Sequence, residues 1–167
     1  NAMVAAAQVM GVRPLLPLAN LTEADSFSGE LAHALLSSPE ARTRLADHLM
    51  ELLHRNGYRG IDVDLESIFP EDAQNYVRFL FLLRERLEPL GYPLLAALAP
   101  KTSACQQGEL YQGHDYRGLG EAADGVLLMT YEWGYAFGPP MAVAPLDQVR
   151  RVAEYALTEV PAEKIWL

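Results

Sequence analysis

Gly60-Ile61-Asp62-Val63-Asp64-Leu65-Glu66 alternates apolar and acidic residues. Successive side chains of an extended strand point to opposite faces, so Ile61, Val63 and Leu65 share an apolar face and Asp62, Asp64 and Glu66 an acidic one. The apolar face can pack under helices while the acidic face looks the other way. Neighbours on that face are about 6–7 Å apart, and three anions at this spacing with limited solvent repel one another. The least costly response is to keep a proton on one carboxyl, which raises its pKa. A carboxyl that stays protonated near neutral pH can act as a general acid. Glu66 is the outermost of the three and is the expected donor. A metal site would need more oxygen ligands than one straight strand supplies, usually gathered by a turning loop, so no metal is expected.

Outward from this strand, short apolar runs recur at residues 12–20, 94–100, 125–132 and 164–167. Stretches of helical period lie between most of them. Residues 40–56 place Leu45, Leu49, Leu52 and Leu53 on one stripe, with Pro39 near the start and Gly57 just past the end. Residues 70–90 carry Val77, Leu80, Phe81 and Leu83, and residues 145–160 carry Leu146, Val149, Val152 and Ala156. Residues 3–10 read as the end of another helix closed by Gly11, residues 101–113 as a polar loop, and 115–123 as room for a small helix at most. Strands and helices alternating at this spacing predict a parallel α/β sheet. An open doubly wound sheet usually announces a nucleotide site by a glycine-rich turn after its first strand, and none is present. A barrel instead puts functional polar residues at the C-terminal ends of several strands. Asn20, Glu66, Lys101 and Tyr131-Glu132 occupy such ends, which favours the barrel.

Composition narrows the partners. The 167 residues are 50% hydrophobic, enough for one domain with a substantial core, and carry a formal charge of −9. An acidic chain is poorly suited to nucleic acid or to anionic membrane surfaces, and suits a neutral polymer such as a glycan. No apolar run is long enough to span a bilayer. Cys105 is the single cysteine, so no intrachain disulfide can form. His33, His48, His54 and His114 show no ligand spacing with it and read as structural or surface residues. Asn1-Ala2 ahead of Met3 reads as a cleavage remnant, leaving 3–167 as the domain.

At the acidic strand the sequence resembles glycoside hydrolase family 18, whose signature on the fourth barrel strand is Asp-Gly-x-Asp-x-Asp-x-Glu. Gly60, Asp62, Asp64 and Glu66 match it, and Arg59 replaces the first acid at the deep end of the strand. Met129-Thr130-Tyr131-Glu132 is similar to the family's Met-x-Tyr-Asp at the end of the sixth strand, with Glu132 for aspartate. The run continuing through Trp133-Gly134, Gly138-Pro139-Pro140 and Ala144-Pro145-Leu146 is similar to a spore-linked subgroup of cortex-lytic N-acetylglucosaminidases. The resemblance implies a (β/α)8 barrel, of which this chain covers strands three to seven. The family's substrate-floor tryptophan on the last strand has no counterpart here.

The resemblance further implies hydrolysis of β-1,4 bonds next to N-acetylglucosamine, in peptidoglycan or chitin, by a substrate-assisted retaining mechanism without a cofactor. Glu66 would be the acid and then the base. Asp64 would orient the acetamido nitrogen, Asp62 would share a proton with Asp64, and Tyr131 would support the acetamido oxygen. Met129, Glu132 and Trp133 are expected to line the substrate cleft, Trp133 as a stacking platform, with Asn20 and Lys101 as further lining residues. A spore or cell-wall location is expected on the same ground. The alternatives are a glycan-binding domain without turnover and a truncated structural fragment. Five of eight strands would leave two open edges, so self-association through them is expected if the chain stands alone.

Overall fold

The computed structural model describes residues 2–134 and 137–167; Asn1, Tyr135 and Ala136 lie outside the described residues. Five strands form one sheet: β1 (Leu16–Ala19), β2 (Ile61–Asp64), β3 (Leu94–Leu98), β4 (Gly125–Leu128) and β5 (Ile165–Trp166). Every pairing is parallel, and the spatial order is the chain order, β1 to β5. A doubly wound sheet reverses its strand order part-way, so this sequential order is that of a barrel wall.

The helices are α1 (Ala2–Val9), α2 (Gly29–Leu36), α3 (Pro39–Asn56), α4 (Ala73–Leu87), α5 (Tyr116–Ala122) and α6 (Leu146–Glu159). Their ends follow local chemistry. The Ser28 and Ser38 hydroxyls accept from the Leu31 and Ala41 amides, capping α2 and α3, and Asp115 caps α5 through the Gly118 amide. Pro39 opens α3, and Gly57 closes it in the left-handed region at φ 78°. The sequence reading named the helix at 40–56 but none at 29–36; the Ser37-Ser38 pair ends α2 and caps α3.

The expected strands are present but shorter than the apolar runs. Residues 12–15 precede the ladder of β1. Past β3 and β4 the backbone closes three-residue turns, with the Lys101 amide donating to Ala99 and the Thr130 amide to Leu128. Residues 129–134 therefore lie beyond the sheet and stand over its C-terminal end.

The core lies between the outer face of the sheet and the helices. Ile61, Val63, Leu94, Ala96, Leu98, Val126 and Leu128 are at most 1% exposed and meet Leu49 and Leu53 of α3 and Phe79, Leu80 and Leu83 of α4. Burying each large aliphatic side chain contributes about 1.5–3 kcal/mol. At the base of β2, a Cβ on Gly60 would lie 2.5 Å from the Pro93 carbonyl oxygen, and its φ of 157° also disfavours a side chain. Arg59, beside it, is tied to Tyr92: its guanidinium donates to the phenol oxygen at 2.5 Å and lies 5.6 Å from the ring centroid. Where the family signature has an acid, this chain therefore has a packing contact at the base of the sheet.

Candidate active site

β2 carries the acidic face inward. Ile61, Val63 and Leu65 are buried at 0%, 0% and 1%, and Asp62, Asp64 and Glu66 are each half-buried. Register puts Asp62 beside Pro17 and Leu95, and Asp64 beside Ala19. Asp62 is thus one layer deeper than Asp64, and Glu66 stands past the strand end.

A cleft of about 390 Å³ opens at that end, lined by Asp64, Glu66, Met129, Tyr131, Glu132 and Trp133 together with Phe27, Pro100, Leu110 and Tyr111. Burial pushes the pKa of Asp62 up. It does the same for Asp64, helped by the Asp62 charge. Glu66 is raised by burial first, then by the charges of Asp64 and Glu132. The Tyr131 phenol is also held above its ordinary value, by burial and then by Asp64, Glu132, Glu66 and Asp62. All three strand carboxylates therefore act on the Tyr131 hydroxyl, although 65 residues, two whole βα units, separate Glu66 from Tyr131 in the chain. Asp64 Oδ1 and Trp133 Nε1 are buried without a hydrogen-bond partner among the described residues. Two residues at the cleft take the left-handed region, Ser67 at φ 54° directly after Glu66 and Glu132 at φ 59° directly after Tyr131. Non-glycine residues are held so only when their surroundings over-determine them, and such positions cluster at functional sites.

Two of the expected lining residues lie elsewhere. Asn20 is 3% exposed and spends its amide on backbone, donating to the Glu66 and Ser28 carbonyls and accepting from the Glu66 amide. Lys101 is 5% exposed, and its ammonium donates to the His114 carbonyl at 2.9 Å, 5.9 Å from the Tyr116 ring. It lines a separate polar cavity with Asp115, Tyr155 and Glu159. The turn that follows β3 directs Lys101 away from the cleft and toward α5.

The sequence reading missed Phe27, Leu110, Tyr111 and Pro100. Phe27 and Tyr111 sit on loops, where no periodicity marks an inward side chain; proximity to strand ends was the available signal. His114 is fully buried behind the cleft. Its Nδ1 accepts from the Ala99 amide at 3.1 Å, so Nε2 carries the proton and donates to the Leu65 carbonyl at 3.1 Å. Burial brings its pKa down to about 4, so the ring is neutral and joins the ends of β2 and β3. Among the described residues no group of three or more His, Cys, Asp or Glu side chains is arranged to hold a metal ion.

The family model for glycosyl hydrolases family 18 matches residues 24–167. The chain belongs to this family. It is 49% identical over 143 residues to the cortical fragment-lytic enzyme of Bacillus subtilis (strain 168), covering 86% of this chain and 33% of that protein. The crystal structure of the spore cortex-lytic enzyme SleL from Bacillus megaterium QM B1551 superposes with a TM-score of 0.92 at 38% identity, over 99% of this chain and 37% of that one. A chitinase from Chromobacterium violaceum ATCC 12472 superposes with a TM-score of 0.90 at 24% identity, covering 98% of this chain and 51% of that one, a likeness of fold. This family 18 chain thus spans about a third of the length of its cortex-lytic relatives. Its five strands are a continuous part of a (β/α)8 barrel, and the cleft stands at the C-terminal end of the strands, where such barrels place their active sites.

Proposed function

We propose that this family 18 chain carries the acidic centre of a glycosidase that cleaves β-1,4 bonds next to N-acetylglucosamine in spore-cortex peptidoglycan, by substrate-assisted retention. One observation carries the reading: Asp64 and Glu66, with raised pKa values, share a cleft wall with Tyr131. Cortex is preferred to chitin as substrate because the relatives with the higher identities are cortex-lytic enzymes, and a spore or cell-wall location follows from the same preference.

Glu66 gives its proton to the glycosidic oxygen as the bond to the anomeric carbon breaks. The substrate's acetamido oxygen attacks that carbon and closes an oxazolinium-like ring. Water then opens the ring, its proton passing to the Glu66 carboxylate, so the anomeric configuration is retained. Asp64 Oδ1, a buried acceptor without a hydrogen-bond partner among the described residues, takes the acetamido N–H. Asp62, one layer below, shares a proton with Asp64, and the Tyr131 hydroxyl donates to the acetamido oxygen. Met129, Glu132 and Trp133 contact the sugar from the end of β4, Trp133 by stacking on the apolar face of the ring. Side chains and the substrate's own acetamido group supply the whole scheme.

The test is hydrolysis of N-acetylglucosamine oligomers and cortex fragments against glucose oligomers of equal length. New reducing ends are expected only from the acetamido sugars, with the β-anomer released first. Equal turnover of glucose oligomers, or first release of the α-anomer, would overturn the mechanism. Binding without release would make the domain a glycan-binding module instead.

A further inference from the structure

The β1–β2 ladder ends at the pair Ala19 and Asp64, so Glu66 lies two residues beyond any strand pairing with β1. Past that point the first strand departs. Residues 21–28 fold back on themselves through an antiparallel bridge between Leu21 and Phe27. Among the described residues one side chain serves the backbone of Glu66 on this side. The Asn20 amide accepts from the Glu66 N–H at 2.9 Å and donates to the Glu66 carbonyl at 2.8 Å. It thereby takes the place of the peptide group that a longer β1 would have offered. The same nitrogen donates to the Ser28 carbonyl at 2.8 Å, and the Asn20 carbonyl accepts from the Ser28 amide at 3.0 Å. Asn20 thus joins the backbone of Glu66 to the loop that brings Phe27 to the cleft. On the other flank the His114 ring holds the Leu65 carbonyl, and Ser67 follows in the left-handed region.

We propose that Asn20 is a positioning residue for the proton donor: it fixes the Glu66 main chain, and with it the carboxyl, without touching substrate. The proposal rests on the reading of Glu66 as the acid. A carboxyl held by a bidentate backbone clamp keeps one approach to the leaving oxygen. Released from it, the main chain can relax the strain at Ser67 and the carboxyl loses its line of transfer. Misplacement of a catalytic group by about 1 Å can cost on the order of 10²-fold in rate.

Two arms test this. The first is amide hydrogen exchange on the chain itself and requires no turnover. In Asn20→Ala the Glu66 amide is expected to exchange faster by on the order of tenfold or more, while amides within β2 stay protected. Asn20→Asp keeps the oxygen that accepts from the Glu66 amide but turns its second oxygen toward the Glu66 and Ser28 carbonyls, so protection at Glu66 is expected to return only where that carboxyl is protonated and can donate. An unchanged Glu66 amide in Asn20→Ala, or a uniform rise along β2, would overturn the clamp. The second arm uses a form that turns over two substrates: an N-acetylglucosamine oligomer, whose leaving group needs a proton, and a dinitrophenyl N-acetylglucosaminide, whose leaving group does not. Asn20→Ala is expected to lower kcat/KM on the oligomer by on the order of 10²-fold with KM little changed, and largely to spare kcat/KM for release of the dinitrophenol, which precedes the water step that also uses Glu66. Equal losses on both substrates would overturn the positioning role. Glu66→Gln run beside it separates the two readings. If Glu66→Gln also fails to distinguish the leaving groups, the acid assignment is at fault rather than the clamp.

Discussion

The two faces of β2 differ in what they are built to do. The outer face, Ile61, Val63 and Leu65, is fully covered by apolar side chains of α3 and α4. The inner face, Asp62, Asp64 and Glu66, stacks carboxylates at half burial, leaves Asp64 Oδ1 without a partner among the described residues and is followed at once by Ser67 in the left-handed region. Alternate residues of a single strand therefore carry stability and chemistry. The strain of the inner face is tolerated because the outer face anchors the same backbone.

That division can be broken from either side. The largest effect is expected at Asp64. Asp64→Ala should lower kcat on N-acetylglucosamine oligomers by on the order of 10²-fold or more, because the charge and acceptor facing the developing cation are lost. Urea unfolding of the same variant should show no loss of stability. On the outer face Ile61→Ala should do the reverse, costing about 2–5 kcal/mol in unfolding free energy through the cavity it leaves, with little change in activity per folded molecule.

His114 joins the ends of β2 and β3 and should show itself through pH. Its folded-state pKa of about 4 lies below the ordinary value of 6.5. The stability of its neutral form is fully present above the ordinary value and is lost as pH falls through the folded one. Between these values the fold should lose on the order of 3 kcal/mol from this residue. His114→Gln keeps one acceptor and one donor, and should flatten that part of the stability profile measured by chemical denaturation from pH 7 to 4.

The smallest effect is expected at Asp62. Its raised pKa means that the folded state binds the proton more tightly than the unfolded chain. Its contribution is therefore favourable at low pH and is lost as pH rises through the folded value. Asp62→Asn removes the charge, so the melting temperature at pH 7 should rise by about 1–2 °C, solvent screening keeping the gain small. The difference should vanish near pH 3, where the parent carboxyl is also neutral.

The fold was largely legible because β2 and α3 state their patterns openly: period two in one, period 3.6 with proline and glycine limits in the other. The order of the strands followed from βαβ spacing. Strand ends were less legible, since an apolar run such as 125–132 does not reveal that the ladder stops at Leu128 and a turn begins. Of the site, the strand carboxylates and the segment from Met129 to Trp133 carried recognisable motifs. Phe27 and Tyr111 come to the cleft from loops whose course depends on tertiary contacts. Asn20 and Lys101 stand at strand ends as expected, but hydrogen bonds to backbone turn both away from the cleft, and composition at a strand end holds no information on that.

The central claim, that Glu66 donates the proton, is tested most directly by turnover of Glu66→Gln on N-acetylglucosamine oligomers, in a form whose parent is active. The amide has no proton to transfer, so the rate should fall by on the order of 10²–10⁴-fold while oligomer binding and melting temperature stay close to the parent. A variant that turns over as fast as the parent would contradict it.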